Sequence, residues 1–285
     1  MESTTAHRLL SLASLAFSAA LVVGLFISYL VTDSQLALAQ AADSFLDVFT
    51  ATVLTVAITV AARPRDENHP FGHHRAEPLG ALVTAVVAGV LAIEVARSAI
   101  TALLMGSTPE VDWRLAALFG GKLVIKGVIT LIGWRMMRRG AGPSIGALTI
   151  DARNDVLINS VALLGFVGVT RGWGQLDAWL ALPTVAWIAW SGYKLASENI
   201  RLLMGEAPPL ERQAKLLELA RSVPGVKAAH DLRAQHIGTK LQVLVHVVVD
   251  ENLTVKQGHD IGEAVRDKLE DESDVSNVNV HVDIQ

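Results

Sequence analysis

Six long apolar stretches dominate the first 207 residues, at about 9–31, 36–61, 79–105, 112–137, 145–170 and 176–200. Each approaches the roughly 20 residues that a helix needs to cross a bilayer. In hydrocarbon a backbone must satisfy its own hydrogen bonds, so such stretches become spanning helices. The mean hydropathy of +0.41 agrees with this reading and argues against an ordinary soluble enzyme. The first stretch runs from Leu9 to Leu30 with no A-x-A-like cleavage site soon after it. It is therefore read as a retained span rather than a removed signal peptide.

Short connections between the stretches imply antiparallel neighbours, and the basic residues orient them. Arg63, Arg65 and Arg75 lie in the connection at 62–78, and Arg135, Arg138 and Arg139 in the one at 135–143. The alternate connections carry Asp33, Glu110 and Asp112 and no base, with Arg171 a mild exception. Basic loops stay inside, which puts both termini in the cytoplasm.

The chain changes character at Ala207-Pro208-Pro209. Residues 208–285 hold 13 acids and 9 bases, leaving 15 of each before them, so the net charge of −4 belongs wholly to the tail. Apolar spacing predicts a helix from Leu210 that ends near Val223-Pro224-Gly225. Strands are expected at Val226–Ile237 and Lys240–Asp250, a helix at 255–270 and a strand at Val275–Ile284. This α-β-β-α-β order implies two helices on one face of a three-stranded sheet, a metallochaperone-like α+β domain. The fold class expected is an α-helical membrane protein with six transmembrane helices at 1–205 and a cytoplasmic α+β domain at 206–285.

There is no cysteine, which excludes disulfide scaffolds, Cys zinc ribbons and Cys-ligated iron–sulfur centres. Any metal must be held by His, Asp or Glu. The acidic balance argues against nucleic acid as a partner. No HExxH motif occurs and no nucleophile sits beside an obvious base, so nothing points to an enzyme.

Two pairs of acids interrupt the apolar stretches. Asp43 and Asp47 lie four apart in the second, and Asp151 and Asp155 four apart in the fifth. Residues at i and i+4 share a helix face, so each pair aims both carboxylates one way. Ionised acids in hydrocarbon face water or a counter-charge. Four carboxylates alone repel one another, and the sequence offers no obvious counter-charge beyond a divalent cation or protons. That duality is a physical basis for exchanging metal against protons. The bland alternative is that these acids lie at span ends and face water. Lys122 and Lys126 share a face of the fourth stretch, and Glu94 and Arg97 sit on the third; intrahelical or interhelical ion pairs with acids account for them, or a place near a transport path. Asn159 reads as a supporting donor to Asp155 or as a packing amide.

Histidines cluster outside the spans. In the 62–78 connection, Asp66, His69 and His73 can converge on a divalent metal, with His74 as a substitute, unless this loop simply faces solvent. The tail contains His230, His236, His246, His259 and His281. His281 and Asp283 share a strand face by the two-residue period, whereas isolated strand histidines are usually only partly buried polar groups.

Over nearly its whole length the chain resembles the cation diffusion facilitator family. The resemblance rests on the six spans, the polar pairs in spans two and five, and the tail. It also rests on Asp66-Glu-Asn-His69-Pro-Phe-Gly-His73-His-Arg-Ala-Glu77 and His230-Asp231-Leu232-Arg233. The resemblance implies a bacterial zinc/iron/manganese-type antiporter that exports Zn2+, Fe2+, Mn2+ or Cd2+ from the cytoplasm against protons by alternating access. It places Asp43, Asp47, Asp151 and Asp155 at the transport site. Asp66, His69 and His73 form a loop metal site, and His230, His246, His259, His281 and Asp283 a tail cluster, both suited to Zn2+. A homodimer in the bacterial inner membrane is implied, with Arg75 in a charge contact between protomers. Many zinc transporters of the family carry His where this chain has Asp151, and an all-carboxylate site favours harder cations. The competing reading is a metal-sensing scaffold of the same fold without transport.

Overall fold

The computed structural model describes residues 18–110, 112–138 and 143–284. It divides into two compact units. One contains the described residues up to Ala51 together with Thr84–Tyr193, the other Thr52–Val83 together with Lys194–Gln285.

Six helices precede the tail: α1 (Ser18–Thr32), α2 (Gln35–Ala61), α3 (Ala76–Met105), α4 (Trp113–Met137), α5 (Pro143–Thr170) and α6 (Leu176–Leu203). They fall where the apolar stretches do, and the first part of the stretch beginning at 9 lies outside the described residues. By length and composition, α2, α3, α4 and α5 are apolar enough to cross a membrane, whereas α1 is described over a shorter span. Arg139, counted among the basic loop residues, also lies outside the described residues.

In the first unit, small residues let the helices approach closely. Ala37, Ala39, Ala92, Ala99, Ala162 and Ala181 are buried beside Leu25, Leu36 and Phe119. The start of α2 is fixed by a residue from α6. Asp177 accepts hydrogen bonds from Ser34 Oγ (2.7 Å), the Gln35 amide (2.5 Å) and the Leu36 amide (3.3 Å). A carboxylate thereby satisfies amides that the first helical turn leaves without partners, and complements the helix dipole.

The tail follows the expected order: α7 (Leu210–Arg221), β1 (Ala228–Ile237), β2 (Lys240–Val249), α8 (Val255–Glu270) and β3 (Val275–Ile284). The sheet order is β1-β2-β3. The β1–β2 pair is antiparallel across the Gly238-Thr239 turn, and the β2–β3 pair is parallel, with α8 as the crossover it requires. Val243, Val245 and Val247 of β2 are buried with Leu216 and Ala220 of α7 and Val265 and Leu269 of α8. Strand alternation turns His246 to the opposite face.

Candidate metal centres

Asp43 and Asp47 of α2 and Asp155 of α5 converge, and they meet two lysines from α4. Lys122 Nζ donates to Asp43 Oδ2 (2.8 Å) and Gln40 Oε1 (3.1 Å). One turn on, Lys126 Nζ donates to Asp47 Oδ2 (3.3 Å) and lies in ion-pair contact with Asp155 Oδ2. Two i,i+4 pairs thus form a two-rung ladder, and Asp155 joins the second rung. Lys122 is 1% exposed and Asp155 7%, so this is an ionic cluster inside a helix bundle rather than a set of span-end acids in water. The expectation that these acids lack a counter-charge other than a transported cation or protons is therefore corrected for Asp43, Asp47 and Asp155: α4 turns Lys122 and Lys126 onto them. Asp151 lies on α5 four residues before Asp155, and its side chain is outside the described residues.

Polar atoms continue beyond the ladder. Asn159 Nδ2 donates to the Asp155 carbonyl (2.7 Å), while Asn159 Oδ1, Ser44 Oγ and Gln40 Nε2 are buried with no hydrogen-bond partner among the described residues. Buried polar atoms of this kind normally hold water or an ion. Glu94 and Arg97 form an exposed i,i+3 ion pair on α3.

The second centre lies in the connection between α2 and α3. Asp66 Oδ1 accepts from the His69 amide (2.7 Å) and faces His69 Nδ1 at 3.0 Å, while Asp66 Oδ2 is 3.3 Å from His73 Nε2. One ligand atom from each residue lies within 4.8 Å of the others. The turn between them is closed by the Gly72 amide on the His69 carbonyl (2.9 Å), with Gly72 at φ 83°. Desolvation pushes the Asp66 carboxyl upward, but hydrogen bonds from the His69 side chain and backbone outweigh it and hold it below its usual range. His73 Nδ1 is buried and has no hydrogen-bond partner among the described residues. His74 is not in this convergent group. Burial, then the charges of Lys240, Arg65 and His73, depress its pKa.

The third centre is built by strand register. His230 pairs with His246 across β1–β2, and His246 pairs with His281 across β2–β3, so three imidazoles form one row across the sheet. Asp283, two residues past His281, is their common neighbour. Its carboxylate oxygens lie 3.5 Å from His230 Nε2, 3.2 Å from His246 Nδ1 and 3.2 Å from His281 Nε2. His230, His246 and Asp283 have ligand atoms within 4.8 Å of one another. A β-bulge follows His230, with Asp231 in the left-handed region at φ 49° and its carboxylate 3.3 Å from His230 Nδ1. Bulges commonly re-aim side chains beside functional sites. His259 is on the exposed side of α8 and outside this group. Arg75 is exposed immediately before α3. Both loop and tail donor sets, imidazole with carboxylate, fit Zn2+ or a neighbouring transition metal.

Comparison with known proteins then places the chain. The profile of the cation efflux transmembrane domain matches residues 11–204, and that of the cation efflux protein cytoplasmic domain matches residues 208–285. The chain belongs to the cation efflux family. An uncharacterized transporter of Methanocaldococcus jannaschii is 27% identical over 92% of this chain and 93% of its own length. The cation-efflux pumps FieF of Shigella boydii and Escherichia coli are each 27% identical over 96% of this chain and 91% of theirs. The tail is also similar to solved MamM-CTD variants. One is 26% identical, covering 27% of this chain and 99% of that one at a TM-score of 0.27. A second is 29% identical, with 27% and 99% covered at 0.26. As a cation efflux family member the protein is a membrane transporter and not an enzyme.

For a cation efflux protein, the part of the site that sequence reading missed is the α4 side. The lysines read as ion-paired, but without Asp43, Asp47 and Asp155 as the partners, and Gln40 and Ser44 of α2 carry no sequence signal. The signal available was the i,i+4 spacing of the lysines, which repeats that of Asp43 and Asp47.

Proposed function

We propose that this protein exports a divalent transition metal, Zn2+, Fe2+, Mn2+ or Cd2+, from the cytoplasm in exchange for protons. Cargo passes through Asp43, Asp47, Asp151 and Asp155 by alternating access. The observation that carries this reading is the convergence of Asp43 and Asp47 of α2 with Asp155 of α5 beside buried polar atoms that have no partner among the described residues. Carboxylates retained inside a spanning bundle at a cost in solvation mark an ion path.

Six spans at 1–205, a cytoplasmic domain at 206–285 and both termini in the cytoplasm complete the arrangement, in a bacterial inner membrane. A homodimer brings two tails together, with Arg75 in a charge contact between protomers. The tail set His230, His246, His281 and Asp283, without His259, and the loop set Asp66, His69 and His73 would hold resident Zn2+. Such an ion cross-links its ligands. On the protein side, Asp283 orients three imidazoles and Asp66 orients two, which pre-arranges each site.

Proteoliposome uptake of Zn2+, Fe2+, Mn2+ and Cd2+ tests the reading. Asp155→Asn should abolish flux of all four in folded protein, and Asp151→His should shift preference from Mn2+ and Fe2+ toward Zn2+. Wild-type flux in Asp155→Asn contradicts the assignment of the path.

A further inference from the structure

We propose that Lys126 is a tethered counter-cation of the transport site. Its ammonium group offsets negative charge on Asp47 and Asp155 when no metal is bound, and an entering divalent cation displaces it. The inference rests on the transport-site reading above and adds a residue that determines the affinity and the return step.

The geometry puts the Lys126 ammonium between carboxylates of two different helices, α2 and α5. A cation bridging the same oxygens must take the place of that ammonium. Lys122 is placed differently: among the described residues its hydrogen bonds go to Asp43 and Gln40, both on α2. Lys126 is therefore the lysine whose position competes with cargo. Lysine suits this role because its charge is compact and its stem flexible, so that it can swing away without carrying a planar fork through a packed bundle.

The charge change agrees in direction: the Lys126 ammonium offsets one negative charge on the Asp47 and Asp155 carboxylates, and a divalent cation in its place offsets two. When the metal leaves, unneutralised carboxylates would oppose reorientation of the empty site, because charges inside a membrane are costly without partners. An ammonium carried on the protein supplies that partner for Asp47 and Asp155 in every cycle. A lysine that merely staples α4 to its neighbours would stabilise the bundle with and without metal, and would not compete with cargo.

The test uses the full chain in a background where Asp66→Ala and Asp283→Ala each remove a ligand from the loop and tail sites, with Zn2+ alone as probe. Lys126→Met should tighten Zn2+ binding at the transport site by about tenfold or more, since a cation competing at contact distance is gone. It should lower the melting temperature of the metal-free protein, and Zn2+ should restore it. In proteoliposomes, Lys126→Met should slow net Zn2+ uptake, which needs the empty site to return, more than Zn2+/Zn2+ exchange, which does not. Lys126→Arg, which keeps the charge, should bind Zn2+ closer to wild type than Lys126→Met. Unchanged or weaker Zn2+ binding in Lys126→Met overturns the proposal, as does an equal fall in exchange and net uptake. Lys126→Gln gives the same readings if Lys126→Met does not fold. The Asp47→Asn control separates the two ideas. If Zn2+ binding survives that substitution, the transport-site assignment itself is wrong, whereas its loss together with no gain in Lys126→Met removes only the lysine's role.

Discussion

Gly238→Ala should weaken metal binding at a site whose ligands it does not touch. Gly238 turns the chain between β1 and β2 at φ 65°, and a Cβ placed there would lie 1.9 Å from the His74 carbonyl oxygen, 2.3 Å from its carbon and 2.7 Å from the Arg75 amide nitrogen. All three are backbone atoms, so no rotamer change relieves the contact. Reaching even 3.0 Å from the oxygen requires a retreat of at least 1.1 Å. The left-handed conformation adds roughly 1–2 kcal/mol for a residue with a Cβ. His74 is the immediate neighbour of His73, and metal–ligand distances tolerate only about 0.2 Å. Moving the loop by several times that margin should lower Zn2+ affinity at Asp66, His69 and His73 by about 10- to 100-fold, the range seen when the supports of metal ligands are removed. The assay is Zn2+ titration of the full chain with Asp47→Asn and Asp283→Ala removing ligands from the other centres. Gly172→Ala is the control: Gly172 has φ 91° and nothing within 4 Å of its Cβ position, so it carries the backbone cost without the collision. Wild-type Zn2+ affinity in Gly238→Ala, or equal weakening in Gly172→Ala, would refute the coupling between this turn and the loop site.

Three further outcomes follow from particular contacts. Asp283→Ala, which removes the common neighbour of three imidazoles, should reduce Zn2+ binding by the tail far more than His259→Ala, as measured by calorimetry. Arg212 of α7 holds Glu272 below its usual pKa mainly through a hydrogen bond, and with Asp274 it outweighs the upward push of desolvation to the same end. Both carboxyls titrate lower folded than unfolded, so their stabilisation is complete above the unfolded value near about 4 and fades as pH falls through the folded one. Arg212→Ala should therefore lower the melting temperature at pH 7 and flatten its fall on acidification. Thr254 caps α8, accepting from the Gln257 amide at 3.3 Å while Gln257 Oε1 accepts from the Thr254 amide at 2.9 Å. Thr254→Ala should cost about 1 kcal/mol, read as faster hydrogen exchange in the first turn of α8.

The elements were legible because their signals are local. Runs of apolar residues located α2 to α6 within a few residues, and alternation located β2 and β3. The 255–270 helix was readable for the same reason. What could not be read is what depends on register and rotation. His230, His246 and His281 are 16 and 35 residues apart in sequence, and only the pairing of β1 with β2 and of β2 with β3 puts them in one row. Nothing in their spacing excluded His259, which α8 carries on its exposed side. The face of α4 was likewise open: Lys122 and Lys126 were plainly co-facial, but a helix rotated by half a turn would have sent them to water or lipid. Rotation decides whether the acids of α2 and α5 repel one another or sit in an ion-paired cluster, and so what an arriving cation must displace.

The most direct test of the central idea, that a carboxylate site shared by α2 and α5 exchanges metal for protons, is simultaneous recording of metal and proton movement in the same proteoliposomes. With an imposed pH gradient, wild-type protein should drive Zn2+ accumulation with protons moving the opposite way, and both signals should vanish in folded Asp47→Asn. Zn2+ movement without proton counterflow, or undiminished flux in Asp47→Asn, would contradict it.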